Sequence, residues 1–95
     1  MQQKHMKEEL DDELIELISF VQMSNYREKI LINLMEKIKT PSKLSKSTNI
    51  KMSHISTTLK ELKDMELIKC LNPHKKQGRL YKITPLGRKV LNYIE

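Results

Sequence analysis

The chain has 95 residues, a formal net charge of +6 and one cysteine. This length suits one small domain, and a single cysteine excludes an intramolecular disulfide. No run approaches the ~20 apolar residues that cross a membrane, and no Cys/His cluster has the spacing of a zinc site. We therefore expect a cytoplasmic protein with no metal, no cofactor and no membrane association.

The charge is distributed unevenly along the chain. Residues 1–23 hold two lysines and six acids, a net charge of −4, whereas residues 24–95 hold 16 bases and six acids, a net charge of +10. A polyanionic partner is the simplest reason for so basic a region, although a basic surface also serves solubility. The pattern favours nucleic acid as the partner of the C-terminal three-quarters.

The first 23 residues predict an amphipathic helix that begins near Met6 and carries a wide apolar stripe. The stripe recurs every three or four residues, with flanking residues that widen it: Met6, Leu10, Leu14, Leu17 and Val21, flanked by Ile15, Ile18 and Phe20. It either packs across its own domain or pairs with the same helix of a second subunit as a short coiled coil. We favour a homodimer, with a seam formed by Leu10, Leu14, Leu17, Ile18 and Val21.

Two further helices follow this segment. Asn25 followed by Glu28 resembles a capping box and predicts a helix that extends to about Ile38. The expected core residues of that helix are Ile30, Leu31, Leu34, Met35 and Ile38. Thr40 before Pro41 is a helix-start signal, and it predicts a short helix over Ser42–Thr48.

Asn49 follows this helix, and asparagine tolerates the left-handed backbone of a tight turn. A helix is then predicted over about Met52–Met65, because Ile55, Leu59 and Leu62 have the spacing of one buried stripe. The opposite face carries short hydroxyls, an imidazole and lysines. A helix, a short turn and a second helix with a polar face form the helix-turn-helix arrangement.

The sequence period changes after Glu66. Residues 67–72 and 80–84 alternate as two antiparallel strands, joined by the polar segment 73–79 with three bases at its tip. Thr84 before Pro85 starts a last helix that reaches about Ile94. The predicted fold is therefore mostly α with a small β-hairpin: a winged helix-turn-helix domain over 24–95 with an extra N-terminal helix over 1–23.

The segments Leu44–Ile68 and Leu80–Arg88 resemble the ArsR/MarR group of winged-helix transcriptional regulators over about half of the chain. Two positions depart from the family pattern. Glu66 stands where the family usually has glycine after the recognition helix, and Lys51 stands where it usually has a serine cap. The resemblance implies a regulator that binds double-stranded DNA through the recognition helix, which is the helix predicted over about Met52–Met65, and through the wing, residues 73–79.

The residues expected to contact DNA fall into three groups. On the recognition helix they are Lys51, Ser53, His54, Ser56, Thr57 and Lys60, and at the start of the preceding helix they are Ser42, Lys43 and Lys46. In the wing they are Lys75, Lys76 and Arg79, with Arg79 assigned to the minor groove. The recognition helix contains no arginine, which favours hydroxyl and methyl contacts and an A·T-rich site.

Other functions find less support in the sequence. No catalytic arrangement or glycine-rich phosphate loop is present, so we expect no enzyme. Cys70 is interpreted more simply as a small core residue than as a redox switch, and the scattered histidines do not support metal sensing. A small-molecule effector is not identified. The alternative function is a winged-helix protein–protein interaction module within a transcription or replication assembly.

Overall fold

The structure, a computed structural model, describes residues 11–95. Met6 and Leu10, two positions of the predicted N-terminal stripe, lie outside the described residues. The elements are α1 (Asp12–Gln22), α2 (Asn25–Glu36), α3 (Pro41–Thr48), α4 (Met52–Asp64), β1 (Ile68–Cys70), β2 (Tyr81–Ile83) and α5 (Pro85–Ile94). This order confirms the predicted winged helix-turn-helix fold. Within residues 11–95, no helix is both long and apolar enough to cross a membrane.

Side-chain caps start most of these helices. Thr40 and Thr84 accept hydrogen bonds from the backbone amides of Lys43 and Gly87, as the two Thr-Pro pairs predict. The cap predicted at Asn25 is wrong by one residue. Ser24 has the extended backbone, and its hydroxyl accepts from the amide of Arg27 at 3.3 Å. Serine and asparagine are both good caps, so residue type alone did not separate them.

The end of α2 also differs from the prediction. The helix stops at Glu36, and the next residues run extended so that Lys39 can pair with Tyr81 of β2. The two residues exchange backbone hydrogen bonds of 3.2 and 3.0 Å. Ile38 is consequently 42% exposed, so the prediction that it belongs to the core is wrong. Pairing with a strand more than 40 residues away overrides the local helical pattern.

The N-terminal helix packs within its own domain. It begins at Asp12, because Asp11 is extended and its carboxylate caps the amide of Leu14 at 2.8 Å. The start predicted near Met6 lies outside the described residues. Leu14, Leu17 and Val21 are buried, and α1 packs against α2 and α5. Over the described residues, these three positions of the apolar stripe thus pack within the domain. In this arrangement these three residues of the predicted dimer seam are not accessible to a second subunit.

Within residues 11–95, the core gathers the apolar faces of the five helices and of the two strands. Ile55, Leu59 and Leu62 of α4 form the predicted buried stripe, and Thr58 is buried beside them. The stripe meets α2, α3 and β1, which supply these buried residues: Ile30, Leu31, Leu34, Leu44 and Ile68. Burial of a leucine or isoleucine side chain contributes roughly 1.5–3 kcal/mol, so this contact largely fixes where α4 lies.

The connection from α4 to α5 is held by close backbone contacts. Glu66 adopts a left-handed backbone with φ of 62°, in the place where the family pattern has glycine. The Thr84 hydroxyl donates to the carbonyl of Glu66 at 2.8 Å, and the Thr84 amide donates to the carbonyl of Leu67 at 3.0 Å. Gly87 lies so close that a Cβ atom there would be 2.2 Å from the Leu67 carbonyl oxygen. The absence of a side chain at Gly87 allows α5 to pack at this distance.

The two strands form an antiparallel hairpin with one buried face. Ile68 pairs with Ile83, Lys69 with Lys82, and Cys70 with Tyr81. Both isoleucines and Tyr81 are buried, Cys70 is half-buried, and the two lysines face solvent directly opposite each other. The strands are shorter than predicted. Beyond them, side chains of the loop rather than further strand pairs make most of the bonds that close the hairpin.

Gly87→Ala is expected to lower the free energy of unfolding by about 2 kcal/mol, because the new methyl group would displace the Leu67 backbone or the Ile83 side chain. Urea unfolding monitored by circular dichroism measures this change. Lys89→Ala, an exposed site on the same helix, is the matched control and should change the stability by less than about 0.5 kcal/mol. Equal stabilities of the two variants would contradict the close packing at Gly87.

Candidate nucleic-acid interface

A groove of about 800 Å³ runs between the start of α3, the exposed side of α4 and the loop between the strands. We call the loop, residues 73–79, the wing tip. Four cationic residues and one acid line the groove: Lys60, Lys63, Lys76, Arg79 and Asp64. The net charge of the groove is therefore positive. A concave surface of mainly positive charge attracts an incoming anion.

The side of α4 toward the wing lines this groove. Met52, Ser56, Lys60 and Lys63 recur at three- and four-residue intervals along it. Ser56 and Lys60 were predicted to contact DNA, whereas Met52 and Lys63 were not, although Lys63 belongs to the polar face of the predicted helix. The spacing of Lys63, seven residues beyond Ser56, could have identified it. Met52 was predicted only as the start of the helix, and it is 46% exposed.

Ser53 and Thr57 occupy the outermost arc of α4, opposite the buried stripe, and both are exposed. The Thr57 hydroxyl donates to the carbonyl of Ser53 at 3.1 Å. Its oxygen can still accept a hydrogen bond from a ligand, because a hydroxyl has acceptor lone pairs as well as one donor. These two short side chains leave room for a large partner to approach the helix backbone.

The other side of α4 faces α2 rather than the groove. The ring of His54 lies against Tyr26 with a centroid separation of 5.1 Å and an interplanar angle of 39°. Two turns further along, Glu61 accepts from the Arg27 guanidinium at 3.1 Å. The structure thus places His54 at the edge of the exposed surface, in contact with α2, although it was predicted to point outward with Ser53 and Ser56.

Arg27 joins three helices. Its guanidinium lies 3.8 Å from the centroid of the Phe20 ring and donates to the Phe20 carbonyl at 2.6 Å, in addition to its bond with Glu61. Phe20 belongs to α1 and Glu61 to α4. Because these contacts are partly buried, they are screened less than a surface ion pair. They tie the N-terminal helix to the far end of α4.

The turn between α3 and α4 is fixed by hydrogen bonds. Asn49 has the left-handed backbone predicted for it, with φ of 61°, and its amide donates to the carbonyl of Ser45 at 2.8 Å. The Ser45 hydroxyl donates to the carbonyl of Ile50 at 2.6 Å. The Thr48 hydroxyl accepts from the Ile50 amide at 3.3 Å and donates to the carbonyl of Leu44 at 2.6 Å. The two helices are thereby held at a set angle.

Lys51 immediately precedes α4, as its N-cap residue, and is exposed. It makes no side-chain cap hydrogen bond, which agrees with its departure from the serine of the family pattern. At the start of α3, Ser42 lines the groove, whereas Lys43 and Lys46 are exposed on the same helix outside it. The predicted residues of α3 therefore divide between the groove wall and the surface next to it.

A buried lysine supports the beginning of α3. Lys39 is 7% exposed, and its ammonium group donates to the Asn33 side-chain oxygen at 2.8 Å. The same oxygen accepts from the Ser47 hydroxyl at 2.7 Å. A lysine two residues before a proline gives no sequence signal of burial; its side-chain partners, Asn33 and Glu36, both lie on α2. The network holds α3 against α2.

The wing tip carries the remaining predicted cations. Lys75 and Lys76 are exposed, and Lys76 lines the groove. Arg79 is half-buried and turns back on the loop, where it donates to the carbonyls of Lys75 and Pro73. Its guanidinium is thus engaged by the wing itself, which was not foreseen when Arg79 was assigned to the minor groove.

Residues 11–95 therefore define a helix-turn-helix with a basic wing and a cationic groove between the two. Residues 27–95 match the family model described as winged helix-turn-helix. Because this match covers more than half of the chain, the chain belongs to the winged helix-turn-helix family. No match was found among curated proteins.

Several solved structures share this fold. The chain is similar to a mutant form of ZitR of Lactococcus lactis, with 26% identity, a TM-score of 0.65, and coverage of 75% of this chain and 49% of that one. It is also similar in fold to the adhesin competence repressor AdcR of Streptococcus pyogenes, with 22% identity, a TM-score of 0.65, and coverage of 83% and 60%.

A possible transcriptional regulator for arsenical resistance shares the fold as well, with 23% identity, a TM-score of 0.62, and coverage of 90% of this chain and 81% of that one. The family match and these neighbours confirm the predicted resemblance. The chain spans about half the length of ZitR and 60% of the length of AdcR.

Asp64→Asn is expected to raise affinity for a duplex polyanion about threefold. Asp64 lines the groove and pairs with Lys60 at 3.1 Å, so its removal deletes a repulsive charge and releases the lysine. Fluorescence anisotropy with labelled duplex DNA measures the affinity. Asp12→Asn, the same change on α1 away from the groove, should leave it unchanged. A weaker or unaltered affinity of Asp64→Asn would argue against binding in the groove.

Proposed function

We propose that this chain binds double-stranded DNA and regulates transcription by occupying promoter DNA. The observation that carries the proposal is the cationic groove beside an α4 surface of small polar residues. An α-helix with short outward side chains fits the major groove of B-DNA, and the N-terminal part of such a helix usually reads base edges. The wing then lies beside the adjacent phosphates.

In this arrangement affinity and specificity come from different residues. Lys60, Lys63 and Lys76 neutralise phosphates on either side of the groove, with Lys43 and Lys46 next to them. Ser53, Ser56 and Thr57 offer hydroxyls to base edges. With no arginine on α4, the bidentate guanine contact is absent from the helix, and the recognised site is A·T-rich.

The similar structures support the regulatory part of the proposal. AdcR is described as a repressor and a third neighbour as a possible transcriptional regulator. We expect no catalytic activity and a cytoplasmic location, where such a regulator meets its DNA. A small-molecule effector is not assigned, because nothing in the described residues identifies its chemistry.

Binding is best measured by anisotropy with two labelled duplexes, the DNA upstream of the protein's own gene and a random sequence of equal length, at several salt concentrations. Tight and steeply salt-dependent binding with preference for the upstream duplex is the expected result. Equal binding to both would contradict sequence-specific regulation. Absence of binding at low salt would overturn the proposal in favour of a protein-interaction module.

A pair of triple variants tests whether the groove is the binding surface. Neutralising Lys60, Lys63 and Lys76 to glutamine should reduce the log–log salt slope by about 2.7, at ~0.9 per phosphate contact. The control neutralises the exposed residues Lys29, Lys37 and Lys89, which lie outside the groove and change the net charge equally. Equal effects of the two triples would show that only the net charge matters.

We also propose that the protein acts as a homodimer, since paired helix-turn-helix domains read two half-sites. The seam cannot use Leu14, Leu17 or Val21 while they fill the core, so it is assigned to the outer face of α1, with Ile15 at 46% exposure and Ile18 half-buried.

Ile15→Glu is expected to convert a dimer into a monomer in sedimentation equilibrium while the chain remains folded. The corresponding substitution Leu14→Glu would be uninformative, because Leu14 is buried and a charge at that position would unfold the domain. Ile38→Glu, which introduces the same charge at another exposed isoleucine, is the control and should leave the mass unchanged. A wild-type monomer at all concentrations, or a dimer that survives Ile15→Glu, would refute this seam.

A further inference from the structure

We propose that Arg79 is a positioning residue for the wing rather than a reader of the minor groove: its guanidinium fixes the wing tip so that Lys75 and Lys76 face the DNA backbone. This inference rests on the function proposed above and specifies how the wing performs it. The observation behind it is the set of hydrogen bonds within the wing tip, in which the planar guanidinium of Arg79 donates to backbone carbonyls of the same loop.

The fork closes the loop from one side. The Arg79 Nε atom donates to the carbonyl of Lys75 at 2.6 Å, and the Nη2 atom donates to the carbonyl of Pro73 at 3.0 Å. Two carbonyls on one turn are thus held by one rigid group. Lysine has a single flexible ammonium group and cannot reproduce this planar, two-point geometry.

Asn72 closes the loop from the other side. Its side-chain oxygen accepts from the amide of Leu80 at 2.8 Å, and its nitrogen donates to the carbonyl of Gly78 at 3.3 Å. Gly78 has a left-handed backbone with φ of 68°, which glycine adopts without strain. Strand pairing ends near this point, so the side chains of Asn72 and Arg79 hold most of the tip in one shape.

The consequence for binding concerns the two lysines. Lys75 contributes one of the carbonyls that Arg79 holds, and Lys76 follows it at the edge of the groove. Fixing the Lys75 backbone therefore fixes the points from which both ammonium groups extend. A loop ordered before binding loses less conformational entropy when it meets phosphates, which favours affinity.

The test compares Arg79→Lys, which keeps the charge and loses the fork, with Arg79→Gln, which loses both. If Arg79 positions the wing, the two variants should weaken binding to the duplex by a similar factor, about fivefold to tenfold. If Arg79 contacts DNA through its charge, Arg79→Lys should stay within about twofold of the wild type and only Arg79→Gln should be weakened. That second result would overturn the inference.

A double-mutant cycle distinguishes positioning from a direct contact between Arg79 and DNA, because only positioning couples Arg79 to the two lysines. Neutralising Lys75 and Lys76 to glutamine should cost clearly less affinity in the Arg79→Lys protein than in the wild type, because the lysines are already misplaced there. Additive losses would mean that Arg79 acts independently of the two lysines and would refute positioning.

Amide hydrogen exchange in the DNA-free protein separates this inference from the proposed function. Exchange at Leu80 and Lys75 should become faster in both Arg79 variants, while exchange in the buried α4 stripe stays unchanged. Unchanged exchange at the wing would refute the fixing of the tip whatever the DNA results. If the wild type binds no duplex, the proposed function fails, and the exchange data alone decide whether Arg79 orders the wing.

Discussion

The close approach of α5 to the end of α4 is the constraint on which the recognition surface depends. Gly87 allows the final helix to lie against the Leu67 carbonyl, and Thr84 bonds the backbone of Glu66 and Leu67. Glu66 and Leu67 connect α4 to β1, so these contacts set the angle between the recognition helix and the wing. The width of the groove between these two elements therefore depends on contacts among residues that do not line the groove themselves.

The surface of α4 that is available to a ligand is narrower than its polar sequence suggests, because one side of the helix packs against α2. His54 packs on Tyr26 and Glu61 pairs with Arg27, and both contacts connect α4 to α2. Arg27 continues the connection to α1 through Phe20. A change in the packing of the N-terminal helix would consequently reach the recognition helix through one side chain, along a physically continuous set of contacts.

The sequence was sufficient for the features that depend on neighbours along the chain. The spacing of Ile55, Leu59 and Leu62, the two Thr-Pro caps and the Asn49 turn all hold in the structure. Features decided by distant partners were not predictable in this way. Ile38 is exposed because Lys39 pairs with β2, and Leu14 is buried because α1 packs against α2 and α5. Arg79 is a different case: its partners lie only four and six residues away, but they are backbone carbonyls, whose positions depend on the shape of the loop rather than on residue type.

The outer face of the hairpin has a further physical consequence. Lys69 and Lys82 stand directly opposite each other across the strands, and like charges in that position repel. This pair is thus a source of repulsion in the free protein, whereas the cations of the groove attract DNA in the complex proposed above. Mobile ions weaken both effects. Added salt should therefore act in opposite directions on the two equilibria, stabilising the folded hairpin while it weakens binding to a polyanion.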